Sequence, residues 1–92
     1  MPKRLQLMTP SGVQTWTVAP KRMRGDHGQT HFRTKRVEID DSFPLAVVVD
    51  TVIHEAWHVA TGCDGEHPDI ERIAYNATRM LVALGLVNTE DE

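Results

Sequence analysis

Two short apolar segments open the chain. Leu5 and Leu7 precede Thr9-Pro10-Ser11-Gly12, and Val13, Trp16 and Val18 follow it. Proline presets φ and glycine accepts a positive φ, so the four residues predict a turn and their flanks a β-hairpin that ends at Pro20. Residues 21–30 carry two glycines and many charges and read as a loop. From about His31 to Asp40 the side chains alternate. Arg33, Lys35, Val37 and Ile39 fall on one face, with Phe32, Thr34, Arg36 and Glu38 on the other. That period of two predicts a third strand.

The period then changes. Asp41-Ser42 offers an N-cap and Pro44 a first-turn residue. From Pro44 to Thr61, Leu45, Val48, Val49, Val52, Ala56, Val59 and Ala60 fall on one broad face at ~100° per residue. The β-branched residues lower intrinsic helix propensity, so burial must carry this helix. Gly62 suits its C-terminus. A second helix is predicted from Pro68-Asp69 to about Leu84, before Gly85, with Ile70, Ile73, Ala74, Ala77, Met80, Leu81 and Leu84 as its apolar stripe. Strands followed by helices make the chain α+β.

Composition narrows the function classes. Ninety-two residues, 40% hydrophobic and 25% charged, suit a single folded domain (1–87) with an acidic, frayed tail (88–92). The aliphatic run Leu45–Val49 is too short to span a bilayer, and no apolar signal-peptide segment stands near the N-terminus. The single cysteine, Cys63, excludes an internal disulfide and predicts a reducing, cytoplasmic setting. The net charge of −3 hides a basic stretch. Lys21, Arg22, Arg24, Arg33, Lys35 and Arg36 are six of the ten basic residues, and such a stretch is either a solvated loop or a nucleic-acid contact.

The chemistry lies in His54-Glu55-Ala56-Trp57-His58, an HExxH motif inside the first predicted helix. Residues four apart differ by ~40° around the axis and ~6 Å along it, so both imidazoles reach one Zn²⁺. Glu55 sits beside that ion without binding it, placed to take a proton from the attacking water and return it to the leaving amine. A catalytic zinc needs a third protein ligand. Candidates are Asp64, Glu66, His67 and Glu71, with His27 and His31 upstream. Asp64 holds the last position of the metzincin pattern HExxHxxGxxH, but Thr61 replaces its glycine and Gly62 comes one residue late. Glu71 fits better. It borders the second helix's apolar stripe, about 60° from Ala74, and the small Ala74 permits close approach of the two helices.

With HExxH on one helix and Glu71-Arg72-Ile73-Ala74 on the next, the chain resembles a minimal zincin metallopeptidase of the gluzincin type. It is similar to the short metallopeptidases encoded by bacteriophages, and more distantly to the ImmA/IrrE-like and SprT-like families. The resemblance covers roughly the last two-thirds of the chain. It implies a small three-stranded, mostly antiparallel twisted sheet packed on the active-site helix, with a C-terminal helix. It also implies His54, His58 and Glu71 as zinc ligands and Glu55 as catalytic base. Protein or peptide substrate would lie along an edge strand, taken here as Phe32–Ile39. Where larger gluzincins often place an aspartate four residues after the ligand glutamate, this chain has Tyr75. Its hydroxyl is a candidate oxyanion donor and equally a packing group, with His27 and His31 as other candidates for that role. Trp16 reads as sheet core, and Trp57 as packing beside the metal. Val47 and Thr51 share the histidine face and read as the cleft floor. Two other functions compete: a nucleic-acid-associated protease or zinc module using residues 21–36, and a non-catalytic regulatory domain.

Overall fold

A computed structural model describes residues 2–63, 65 and 68–87. The tail 88–92 lies outside them, as do the ligand candidates Asp64, Glu66 and His67. The chain runs β1 (Lys3–Thr9), β2 (Gly12–Pro20), β3 (Gly28–His31), β4 (Arg36–Ile39), α1 (Leu45–Thr61) and α2 (Pro68–Ala83). The α+β class is as predicted. The sheet is not three-stranded and mostly antiparallel: it has four strands in the order β1-β2-β4-β3, with β2 and β4 parallel and both flanking pairs antiparallel.

The difference arises in the segment read as one strand from His31 to Asp40. It folds back on itself, so that β3 and β4 pair through His31↔Arg36 and Gly28↔Ile39. The turn spans residues 32–35 and contains no glycine, proline, asparagine or aspartate, the residues that usually announce a turn. Its sharp corner is Lys35, at φ 54°. The loop expected over 21–30 consequently gives its last three residues to β3. Phe32–Ile39 is not an edge strand either: β4 is interior, and β3 forms the edge.

The inner sheet face and α1 share one core. Trp16, Val37, Ile39 and Val59 are buried together, with Leu7, Val18, Phe32 and Val48 packed against them. Trp16 meets Phe32 edge to face at 5.9 Å, the orientation aromatic quadrupoles favour. The helix turns a different face inward from the one its apolar residues predict. Thr51, Glu55, His58 and Val59 are buried, while Leu45, Val52, Ala56 and Ala60 are exposed. The sheet accepts this half-polar face because its polar atoms are partnered, which removes most of the cost of burying them. Thr51 Oγ1 donates to the Val47 carbonyl at 2.8 Å, and Glu55 accepts from Thr30.

Helix α2 packs on α1 and, among the described residues, on no strand. Ile70, Ala74 and Thr78 are buried there. Ile73, Met80 and Leu84, expected in the packed stripe, are exposed, because a helix with one neighbour buries a narrower arc than seven apolar positions occupy. The helix ends behave differently from one another. Gly62 closes α1 in the left-handed conformation, as expected, its N–H donating to the His58 carbonyl at 2.9 Å. At the other end Pro44, not Asp41 or Ser42, occupies the cap position, with no side-chain cap. Ser42 instead donates through both its backbone N–H and its hydroxyl to Asp40 Oδ1, while Met23 N–H donates to Oδ2. Asp40 thus ties the loop before β3 to the entrance of α1.

Two buried carboxylates give the fold an acid limb. Burial raises the pKa of Glu38, but hydrogen bonds from His31 (2.9 Å) and Arg36 (3.1 Å), with the charge of Lys21 at 3.6 Å, outweigh it and hold the net value low. Asp40 is also held low, first by the Ser42 hydroxyl and then by the Met23 and Ser42 amides. Groups with depressed folded-state pKa values contribute stability above their unfolded values. That stability is lost as pH falls below about 4 and through the depressed values. Glu38→Gln and Asp40→Asn are each expected to flatten this loss, read as the change in denaturation midpoint between neutral and acid pH. An unaltered acid limb would refute it.

The Lys35 corner makes a second prediction. An L-residue in the left-handed region costs roughly 1–2 kcal/mol, which glycine avoids and a β-branched residue aggravates. Against glycine's greater unfolded-state freedom, Lys35→Gly is expected to be neutral or stabilising by up to about 1 kcal/mol. Lys35→Val should destabilise by more than about 1 kcal/mol, both measured by equilibrium unfolding.

Candidate metal centre and cleft

His54, Glu55 and His58 lie on one turn of α1. The helix brings the two imidazoles together: Nε2 of His54 and Nε2 of His58 are 3.1 Å apart. Two Nε2 atoms bound to one tetrahedral zinc at 2.0–2.1 Å stand about 3.3–3.4 Å apart, so the pair is nearly spaced for an ion. The other ring nitrogen of His58 is committed. Its Nδ1 lies 2.5 Å from the Cys63 carbonyl. A carbonyl oxygen only accepts, so Nδ1 carries the proton and Nε2 keeps its lone pair for a metal. The partner comes from the αL turn at Gly62, which brings the chain back under the helix end. The Trp57 ring stands edge-on to His58, 5.9 Å between centroids, in keeping with a packing role beside the pair.

Glu55 is more enclosed than a surface glutamate. Only 7% of the residue is exposed, and the Thr30 hydroxyl of β3 donates to its Oε1 at 2.6 Å. One oxygen is thereby held in place, and the carboxylate borders a cleft of about 900 Å³. Gly28 makes this contact possible. A Cβ there would stand 2.7 Å from Thr51 Cγ2, 3.1 Å from the Glu38 carbonyl and 3.2 Å from Glu55 Cγ. Glycine is needed at this position for space.

The cleft has three walls. Helix α1 supplies Asp50, Thr51, His54 and Glu55; α2 supplies Glu71 and Tyr75; and the loop before β3 supplies His27. The structure therefore brings Glu71 and Tyr75 to the same cleft as His54 and Glu55, while His58 lies behind His54 and does not line it. As the side chains stand, no third His, Cys, Asp or Glu among the described residues closes with the two imidazoles into a three-ligand cluster. His27 borders the cleft with its ring against Phe43 at 4.3 Å. His31 does not: its Nε2 faces Glu38 at 2.9 Å. Thr51 borders the cleft as expected, whereas Val47 borders a smaller adjoining cavity. The basic stretch is partly spent, because Lys21 and Arg36 both pair with Glu38.

Asp50 also lines the cleft, a residue that the HExxH spacing does not single out. It lies one helical turn before His54, and Glu71 borders the same cleft. Burial, with the nearby Glu71 charge, raises its pKa, and His54 and His27 oppose the rise. The signal was available as the spacing Asp50-x-x-x-His54-x-x-x-His58, which continues the histidine stripe back along the helix. Thr30 and Gly28 had no such signal, because the contact they make spans more than twenty residues of chain. Comparison with protein-family models, with curated proteins and with solved structures finds no match.

The Gly28 contact is open to direct test. Gly28→Ala must move either β3 or α1, and overpacking of this kind costs typically about 1–3 kcal/mol. The expected result is a lower denaturation midpoint, with the Thr30–Glu55 hydrogen bond broken. A variant as stable as the parent would show that strand and helix are not in the tight contact described.

Proposed function

We propose that this chain is a zinc-dependent metallopeptidase of the minimal zincin type, with His54, His58 and Glu71 as the ligand set. The supporting observation is the paired imidazoles, 3.1 Å apart with the His58 tautomer set by the Cys63 carbonyl, beside a glutamate anchored on one oxygen. A structural zinc site would not require that glutamate. A zinc ion held there supplies Lewis acidity, acidifying water and polarising a carbonyl oxygen.

The chain's own residues account for the rest. Thr30 holds Glu55 Oε1, leaving Oε2 to take a proton from the attacking water and hand it to the leaving amine. Tyr75 of α2 and His27 of the loop before β3 both border the cleft, and either supplies a donor to the developing oxyanion. The free edge of β3, Gly28–His31, runs beside α1. It offers backbone hydrogen bonds to an extended peptide in the manner of strand addition. The substrate-pairing edge is thus β3 and not Phe32–Ile39, whose strand β4 is interior. Among the described residues no helix is long and apolar enough to cross a membrane, and the lone cysteine favours a reducing, cytoplasmic setting.

Two variants test the assignment. Glu55→Gln should keep its zinc, by elemental analysis, and lose peptide hydrolysis by about 10²–10⁴-fold; undiminished hydrolysis would sink the role of Glu55. Glu71→Ala should weaken zinc binding by more than about 100-fold, beyond the 10–100-fold typical of outer partners. Unchanged affinity would transfer the third position to Asp64 or His67.

A further inference from the structure

A second cavity, of about 370 Å³, opens beside the cleft and shares His27, Asp50, Thr51 and Tyr75 with it. Its inner walls differ in character. Ala46 and Val47 of α1 and Val82 of α2 give it apolar walls, beside Thr78 and the stem of Arg79, whose guanidinium lies over the Tyr75 ring at 5.8 Å, so a largely apolar slot lies between the helices where the cleft is polar and acidic. Its volume is at the low end for ligand pockets and suits one side chain better than a cofactor.

Thr78 carries the inference. It is 6% exposed, and its Oγ1 is sealed from solvent with no hydrogen-bond partner among the described residues. Threonines in helices ordinarily satisfy the hydroxyl on the carbonyl four residues back. Both threonines of α1 do so: Thr51 donates to Val47 and Thr61 to Trp57. Thr78 does not. A buried hydroxyl without a partner costs stability that valine of the same shape would spare. In the observed rotamer the hydroxyl has no access to the cavity that Thr78 lines, so meeting a ligand there requires rotation about Cα–Cβ to the second χ1 rotamer open to a helical threonine.

We propose that this slot is a binding subsite for a tyrosine side chain of a peptide lying in the cleft, with Thr78 as the residue that recognises the phenol. Apolar walls accept the ring, and the Thr78 hydroxyl both donates to and accepts from the phenolic oxygen. Phenylalanine fills the same walls but leaves Thr78 unpaired, so the subsite discriminates by a hydrogen bond. Its role as a substrate subsite rests on the peptidase reading above, but the slot can be tested by binding alone.

The test is a titration of the full chain, with and without zinc, followed by amide-resolved NMR. The probes are a capped tripeptide with central tyrosine, its phenylalanine counterpart and p-cresol. The tyrosine peptide is expected to shift the amides of Val47, Thr78 and Val82 together with Gly28 and Glu55, and to bind roughly five- to tenfold tighter than the phenylalanine peptide. Thr78→Val should abolish that preference and Thr78→Ser retain it. Thr78→Val should also melt at a higher temperature, since it removes an unpaired hydroxyl; a lower one would mean the hydroxyl already has a partner, and would overturn the proposal. Equal binding of the two peptides to the parent chain would overturn it too. So would p-cresol binding as tightly as the tyrosine peptide, which would make the slot a free-phenol site. Tyrosine-selective binding without any peptide hydrolysis would uphold the subsite and count against the peptidase reading.

Discussion

The close approach of β3 to α1 is the constraint on which the site depends. Strand and helix meet where Gly28 faces Thr51 and Glu55, and no side chain fits between them. Because the strand comes this near, Thr30 reaches Glu55 and the carboxylate is buried with a partner rather than left in water. The same approach sets Thr51 and Glu55 of α1 against the strand, while Val52, Ala56 and Ala60 face solvent. The helix gives up burial of good apolar surface there. In exchange, the Glu55 carboxylate is held by Thr30 of the edge strand.

The second dependence runs through α2. That helix supplies Glu71 and Tyr75 to the cleft, yet among the described elements it packs only on α1. Ile70 and Ala74 carry most of that contact, and the buried Thr78 weakens it by its unpaired hydroxyl. A metal bound between the helices would therefore add to the stability of α2 docking, because ligand binding to the folded form raises its stability by mass action. In so small a chain the coupling is large in proportion, since the core has little surface to bury. The proposed tyrosine subsite lies in the same seam, so peptide binding and helix docking would support one another.

The outer sheet face and the acid-labile carboxylates serve a different purpose. Glu38 gathers His31, Arg36 and Lys21 around one buried carboxylate, locking the β3–β4 turn and drawing two cations out of the basic stretch. Asp40 ties the loop carrying His27 to the start of α1. Both hold the third wall of the cleft in position without entering it.

The HExxH motif, its place on a helix, the Gly62 stop and the second helix were legible from residue spacing, because each follows from the local periodicity of 3.6 and from single-residue backbone preferences. So was Trp16 as sheet core. The β3–β4 turn was not, since Lys35 adopts its left-handed φ without any residue that signals it. Nor could spacing say which face of α1 is inward: apolar count favoured Val52 and Ala56, whereas shape and hydrogen bonding to a strand distant in sequence favoured Thr51 and Glu55. The local sequence thus determined which side chains share a helical turn. Only the tertiary structure decided what lies across from them, because that depends on contacts such as Gly28–Thr51 and Thr30–Glu55, made between residues more than twenty positions apart.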